Sequence, residues 1–120
     1  MWTQEQVENA ARRIKQWEQW MRARRERGVA VAGSIAASLA ADFSVDQVLL
    51  VGSLARPDSP VYPSTDIDLL VHGLSPDAYY RAGAVAERLT EGEFAVDLIP
   101  WEELDDRLLQ RFLRQGVRLL

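Results

Sequence analysis

Two aspartates two positions apart are the residues of this chain best suited to chemistry. Asp66 and Asp68 begin a strand-like run, and a third carboxylate, Asp97, lies in a later one. Side chains at positions i and i+2 of a strand point to the same face, so Asp66 and Asp68 would hold two like charges close together. That arrangement is costly unless a cation neutralises it. Hard divalent cations such as Mg²⁺ take oxygen ligands, and a third carboxylate on a neighbouring strand would complete a cage for one or two ions.

A glycine and a serine end the strand-like run that precedes these acids. Gly52 and Ser53 follow the apolar residues 48–51, and α/β sheets place their ligands at the carboxyl ends of such strands. Gly52 would let the backbone approach a phosphate, and Ser53 offers a hydroxyl and an amide. Arg56, one turn further on, can pair with phosphate oxygens. Taken alone, the Gly-Ser pair also fits an ordinary junction between a strand and a turn.

The acids have a structural interpretation as well. Asp66 and Asp68 could be surface carboxylates on a solvated strand edge, and Asp97 could be half of a salt bridge. The pattern around them favours a functional role, because Ile67 and Leu69 mark one buried face and Leu70 makes the opposite face apolar too. A strand covered on both faces should not carry unpaired carboxylates without a purpose.

Composition limits the class of protein. The chain has 120 residues, 48% of them hydrophobic, and no cysteine, which fits one globular domain without disulfides or thiolate metal sites. No apolar run is long enough to span a membrane. Residues 1–27 carry seven basic and four acidic side chains, whereas residues 28–120 carry seven and fourteen. A body with this negative balance is not expected to bind nucleic acid, while the basic N-terminal segment could attract a partner. We expect a cytoplasmic protein.

The first element predicted is a long helix over residues 3–26. Thr3 and Gln6 have the spacing of a capping box, and Gly28 is expected to end the helix. A second, alanine-rich helix should follow over residues 30–42. The first helix carries an apolar stripe that could pack on the protein's own core or form an association face; its residues are Val7, Ala10, Ile14, Trp17 and Met21.

The remaining pattern predicts an α+β fold. A small mixed sheet of three to four strands should be flanked by helices, with the long N-terminal helix as an extra element. We expect two units, an N-terminal amphipathic helix over 1–28 and a domain over 29–120. The predicted strands cover 46–51, 66–71 and 94–99, with a short one after Gly116, and the later helices cover 76–90 and 101–115.

Together these motifs resemble the nucleotidyltransferase superfamily that includes DNA polymerase beta. The resemblance extends over about residues 36–120 and is closest to the minimal nucleotidyltransferases, the small antitoxin partners of HEPN toxins. It is carried by Gly-Ser at the end of one strand, Asp-x-Asp at the start of the next and a third acid on a later strand. Within this chain those positions are Gly52, Ser53, Asp66, Asp68 and Asp97.

The resemblance implies a reaction and a ligand set. AMP would pass from ATP to a hydroxyl group on a partner protein, most directly a HEPN-type toxin, because 120 residues leave no room for an acceptor-binding domain. Two Mg²⁺ ions would be held by the catalytic acids Asp66, Asp68 and Asp97. The nucleotide would be bound by Gly52, Ser53 and Arg56.

Two departures from the family pattern support an alternative. Pro57 follows Arg56 where the family usually has glycine, and the loop before Asp66 is longer than usual. The chain could therefore be a catalytically weak module that neutralises or assembles with its partner by occlusion. The N-terminal helix could then serve a homo- or hetero-oligomer.

Overall fold

The computed structural model describes all 120 residues as three helices and a four-stranded sheet. Short 3₁₀ turns cover Ser53–Ala55, Pro76–Ala78 and Trp101–Glu103. The elements in chain order are α1 (Gln4–Phe43), β1 (Gln47–Val51), β2 (Ile67–His72), α2 (Tyr79–Leu89), β3 (Val96–Pro100), α3 (Asp106–Gln115) and β4 (Val117–Arg118).

The sheet is mixed, with strand order β3-β2-β1-β4. β1 pairs antiparallel with β2 and with β4, whereas β2 and β3 run parallel. The antiparallel pairs bring the end of β1 next to the start of β2, and the parallel pair brings the start of β3 to the same end. The structure confirms the predicted α+β fold, with a mixed sheet of four strands and a long first helix. The pairing also brings the end of β1 and the starts of β2 and β3 together at one end of the sheet.

The sheet is covered on both faces. One face packs beneath α1 and α2, and Ile67 and Leu69 are fully buried there. The other face packs against α3, where Leu49, Val51 and Leu70 contact apolar side chains such as Phe112. The alternation read along β2 is therefore correct, and any polar side chain on this strand has to lie at an open end of the sheet.

α1 corrects the prediction of two helices separated at Gly28. It runs without interruption for 40 residues because Gly28 has an interior role. A Cβ there would come within 2.8 Å of Leu54 and 3.3 Å of Phe94, so the missing side chain lets the helix lie close to the domain. The helix ends instead at Phe43, and the next residue, Ser44, caps it with φ 58°. The division into functional units at 1–28 and 29–120 stays a prediction.

The predicted capping box at the other end of α1 is confirmed. Gln6 N donates to Thr3 Oγ1 at 3.1 Å and Thr3 N donates to Gln6 Oε1 at 2.8 Å. A helix of this length measures about 60 Å at 1.5 Å per residue, which matches the longest dimension of the molecule, 61 Å. The first half of α1 therefore extends past the sheet domain. None of the helices combines the length and apolarity needed to cross a bilayer.

Candidate functional site

Two of the predicted acids are neighbours across parallel strands. Asp68 of β2 pairs in register with Asp97 of β3, and parallel partners lie about 4.8 Å apart with side chains on the same face. Asp66 precedes β2 by one residue and is exposed. On its other side Asp68 is paired with Val51, the last residue of β1. The structure thus brings the three acids and the end of β1 to one end of the sheet.

Asp68 is the electrostatic centre of this group. It is half-buried, whereas Asp66 and Asp97 are exposed. Burial raises the pKa of the Asp68 carboxyl, and the negative charges of Asp97 and Asp66 raise it further. None of the three carboxylates forms an ion pair or a side-chain hydrogen bond within the chain. Like charges this close, without a basic partner, form a site that attracts a cation.

Gly52 gives Asp68 its place beside the end of β1. Its backbone has φ 74°, a conformation that L-residues with side chains rarely adopt. A Cβ at this position would overlap Asp68 Oδ2. Gly52 is therefore required both for the turn that follows the strand and for the close approach of the carboxylate.

Ser53 begins the 3₁₀ turn that follows Gly52. Ala55 N donates to Gly52 O at 3.1 Å, and Arg56 N donates to Ser53 O at 3.2 Å. Ser53 is half-buried, and its hydroxyl has no hydrogen-bond partner within the chain. The turn thus leaves a hydroxyl available near the acids, in the place that the sequence predicted for a phosphate contact.

Two arginines of α1 hold the loop between this turn and the acids. Arg25 Nη1 donates to Ser53 O at 3.1 Å and to Leu54 O at 2.9 Å, and Arg25 Nη2 donates to the carbonyl of Ser59. Arg24 donates to the carbonyls of Tyr62, Pro63 and Glu93 at 2.9–3.1 Å. Arg24 and Arg25 therefore tie the loop to α1, and Arg24 also holds the chain at Glu93, just before β3.

Sequence reasoning missed both arginines as site-supporting residues. Their bonding partners lie 28 to 69 positions away in the chain, so no local spacing signals the contact. The one available signal was the Arg24-Arg25 pair just before the buried Gly28, where the helix had to meet the domain.

Arg56 is exposed and forms no side-chain hydrogen bond or ion pair within the chain. It lines an open cleft of about 580 Å³ beside the 3₁₀ turn, together with residues of the following loop and one residue of α3: Ala55, Pro57, Asp58, Ser59 and Gln115. None of the three acids lines this cleft. Arg56 is thus placed beside the turn, but the structure does not join it to the acids in one cavity.

The largest cleft, about 710 Å³, lies at the opposite end of the sheet. It is lined by the residues that follow β2 and by the end of β3, and five residues of strand from Asp68 to Gly73 span about 17 Å. His72 at this end bonds Asp46 through Nδ1 at 2.6 Å, so its structural role is satisfied. Size alone would therefore select a cleft remote from the acids.

The acids do not form a finished metal cage. No group of three or more histidine, cysteine, aspartate or glutamate side chains lies close enough together to hold a metal ion. The chemistry of the set still fits Mg²⁺, because all three donors are hard carboxylate oxygens and Asp68 lacks any other charge partner.

Comparisons with known proteins point to one fold. No protein-family model matches the sequence, and no curated protein is significantly similar to it. A solved structure assigned as a minimal nucleotidyltransferase is 30% identical, with a TM-score of 0.57, and the match covers 82% of this chain and 92% of that one.

Two further structures share the fold at lower identity. A toxin–antitoxin structure with AMP-PNP is 20% identical with a TM-score of 0.60, covering 73% of this chain and 72% of that one. A mutant of the toxin–antitoxin MntA-HpeT, with two aspartates two positions apart replaced by glutamate, is 18% identical with a TM-score of 0.58, covering 73% and 71%.

Proposed function

The chain belongs to the minimal nucleotidyltransferases, and we propose that it transfers AMP from ATP to a hydroxyl group on a partner protein. The observation that carries this proposal is the register of β2 and β3, which pairs Asp68 with Asp97 beside the end of β1. Gly52 and Ser53 follow at that strand end, and Gly52 lies against the Asp68 carboxylate. An acid set and a glycine turn with an unbonded serine hydroxyl, at one end of a sheet, suit a nucleoside triphosphate with its metal ions.

The proposed reaction is a displacement at the α-phosphorus of ATP. The acceptor oxygen bonds to that phosphorus, the bond from it to the oxygen bridging to the β-phosphate breaks, and pyrophosphate leaves. Asp97 takes the hydroxyl proton, while Gly52 and Ser53 hold the terminal phosphates. Arg56, which borders the cleft beside the same turn, would pair with an oxygen of the outermost phosphate. Two Mg²⁺ ions, held by Asp66, Asp68 and Asp97 when bound, would supply the positive charge that offsets the developing negative charge.

The partner we propose is a HEPN-type toxin, with this chain as its antitoxin. Two toxin–antitoxin structures with the same fold support it, one of them solved with AMP-PNP. In the other, the replaced aspartates have the spacing of Asp66 and Asp68. That this pair of aspartates was chosen for mutation in the other protein fits a functional role for the pair in that complex.

A transfer assay tests this proposal directly. The chain would be incubated with its purified toxin partner, Mg²⁺ and ATP labelled in the α-phosphate. Label should reach the toxin with wild type and with Asp77→Asn, an exposed aspartate remote from the acids. Asp68→Asn should abolish the transfer. If all three proteins bind the toxin and none transfers label, the chain is not an adenylyltransferase of that partner.

Occlusion is the second candidate function. It is favoured by the absence of a finished metal cage and by Pro57 in the loop after Arg56. In that case the chain would neutralise its toxin by covering it. The double variant Asp66→Asn with Asp68→Asn separates the two functions: unchanged neutralisation by the folded variant indicates occlusion, and lost neutralisation indicates transfer.

A further inference from the structure

The largest cleft of the molecule has aromatic and acidic side chains in its wall. Its volume of about 710 Å³ is in the range of ligand-binding clefts, roughly 300–1,000 Å³. Two tyrosines and two glutamates line it: Tyr79, Tyr80, Glu102 and Glu103. No lysine or arginine lines it, and the other residues of the wall carry no charge. The charge of the cleft is therefore negative.

Both glutamates keep oxygen atoms available for a ligand. Gly73 N donates to Glu102 Oε1 at 2.6 Å, which fixes that carboxylate and leaves Oε2 without a hydrogen bond within the chain. Glu103 forms no side-chain hydrogen bond and no ion pair. His72 Nε2 lies 3.8 Å from Glu102, but Nδ1 of the same ring bonds Asp46 at 2.6 Å. The chain therefore leaves the charge of Glu103 without a partner.

The two tyrosines present aromatic rings in the same cleft. The Tyr79 hydroxyl donates to Leu98 O at 3.0 Å, which holds its ring in place. Tyr80 meets that ring edge to face at 5.6 Å and is 87% exposed, so most of its own ring is open to solvent. Ring faces attract cations, and the planar guanidinium of arginine can also stack on them.

This combination of rings and acids suits an organic cation. Only two carboxylates line the cleft, and no group of three acids lies close enough together to hold a metal ion. A nucleotide would be repelled by the same charges. A guanidinium is weakly hydrated, and its N–H groups can pair with a carboxylate while its flat face lies on a ring. Arginine therefore fits the wall better than lysine.

The exposure of the aromatic wall favours an arginine that is presented by a protein. A small ligand is usually bound where roughly 70–90% of its surface is buried, but Tyr80, which would cover it here, is itself 87% exposed. Tyrosine and arginine are among the side chains enriched in protein interfaces. Residues 28–120 carry fourteen acidic and seven basic side chains, a balance that attracts a basic surface.

We propose that this cleft docks an arginine of a partner protein. Its guanidinium would lie on the ring of Tyr80 and pair with Glu103, while the fixed carboxylate of Glu102 accepts a further N–H group. Five residues of strand, about 17 Å, separate Asp68 from Gly73 of this cleft. A protein held here would leave the three acids at the other end of the sheet uncovered, so docking and chemistry would use different ends of the sheet.

Amide NMR titration of the full chain with short peptides tests the choice of cation. The probes are a five-residue peptide with one central arginine and its lysine and citrulline analogues, citrulline being the neutral counterpart of arginine. The arginine peptide should shift the amide signals of Gly73, Tyr80, Glu102 and Glu103, the lysine peptide should bind more weakly, and the citrulline peptide should not bind. Equal binding of arginine and either analogue, or no shifts from the arginine peptide at millimolar concentrations, overturns the proposal.

Variants of the two exposed residues test the contacts. Tyr80→Leu should weaken binding of the arginine peptide about two- to fivefold, as expected for an exposed cation–π contact, while Tyr80→Phe keeps the ring and should bind like wild type. Glu103→Gln should also weaken binding. Glu91→Gln should not, because Glu91 is an exposed acid outside the cleft. If Tyr80→Leu and Glu103→Gln both bind the peptide like wild type, the peptide does not occupy this cleft.

Binding of the purified toxin tests the partner, a step that rests on the proposed function. Tyr80→Leu with Glu103→Lys should weaken that binding at least about tenfold, because the variant loses the ring and opposes the arginine with a like charge. Asp68→Asn should bind the toxin like wild type although it transfers no label. A toxin that binds the double variant as tightly as wild type overturns docking at this cleft. Loss of docking in that variant, with no transfer by wild type, would contradict the reaction alone.

Discussion

Gly52 is the residue whose replacement should do most damage for its size. Gly52→Ala forces a side chain into a φ of 74° and against Asp68, and such strain costs about 1–3 kcal/mol. The matched control is Gly83→Ala, because Gly83 lies inside α2 with nothing within 4 Å of the added carbon. The control should stabilise the fold by about 0.5–1 kcal/mol. Urea unfolding measures both, and a Gly52→Ala protein as stable as wild type would refute the assigned strain.

Asp68 should oppose folding in the absence of a cation. Its pKa is raised by burial and by Asp97 and Asp66, so the ionised form is held at a cost that the unfolded chain does not bear. Asp68→Asn should therefore raise the melting temperature in EDTA while removing the stabilisation that Mg²⁺ gives wild type. Thermal unfolding with and without Mg²⁺ measures both effects. If Mg²⁺ stabilised the two proteins equally, Asp68 would not be a ligand of the metal ion.

His72 and Asp46 should give the stability of the protein a pH window. Their hydrogen bond raises the pKa of His72 above its ordinary 6.5 and lowers that of Asp46 below 3.8. The His72 contribution is complete below pH 6.5 and is lost as the pH rises through the raised pKa. The Asp46 contribution is present above pH 3.8 and is lost as the pH falls through the lowered pKa.

The corresponding measurement compares wild type with Asp46→Asn by urea unfolding across the pH range. The difference in free energy of unfolding between wild type and the variant should be greatest near pH 5. It should shrink towards pH 8.5, where His72 loses its charge, and towards pH 3, where Asp46 loses its charge. An advantage that does not vary with pH would mean that the two side chains do not share the bond in solution.

The loop after β1 is held in place by α1, a helix that carries none of the proposed site residues. Arg25 of α1 donates to three carbonyls of residues 53–59, and a hydrogen bond to a charged group contributes about 1.5–3 kcal/mol. Arg25→Ala should loosen the loop and raise the Kd for ATP. The Kd should show the main effect, and the melting temperature should fall only slightly. Limited proteolysis at residues 56–65 would report the loosening.

Arg27→Ala is the control for Arg25→Ala. Arg27 lies on the same helix but bonds only the exposed carboxylate of Glu93, at 2.8 and 3.2 Å. Solvent weakens such an exposed pair, and it does not contact the loop. Its loss should leave nucleotide binding and proteolysis of the loop unchanged. If both variants behave alike, general weakening of α1, and not the loss of the bonds to the loop, would explain the effect.

Elements with local signals were predictable from the sequence. The capping box at Thr3 and the four strands follow from residue types within a few positions of each other, because caps and alternation are local properties. The break at Gly28 was wrong because a glycine ends a helix only where no contact favours continuation. Contacts with Leu54 and Phe94, far away in the chain, stabilise the uninterrupted helix.

Only part of the candidate site could be predicted. Asp68 and Asp97 could be predicted as neighbours, because unpaired acids in apolar strands are conspicuous and strand register is a regular property. The bonds made by Arg25, and the position of Arg56 in a cleft that none of the acids lines, depend on tertiary packing. No spacing in the sequence encodes them.

The body of the protein and the N-terminal half of α1 differ in charge and in shape. The body, residues 28–120, carries fourteen acidic and seven basic side chains, so it would repel a free triphosphate and should bind one only together with a cation. The N-terminal half of α1 extends from this body over much of the molecule's 61 Å length. Asp66 and Asp97 are exposed at one end of the sheet, where a partner protein could reach them.

Calorimetric titration of ATP with Mg²⁺ onto the whole protein tests the proposed site most directly. Wild type and Asp77→Asn should bind one nucleotide per chain with the same affinity. Asp68→Asn should bind at least about tenfold more weakly, because it removes the central charge that holds the cation, and wild type in EDTA should bind as weakly. Equal binding by wild type and Asp68→Asn, or binding by wild type that does not depend on Mg²⁺, would contradict a nucleotide site built on these acids.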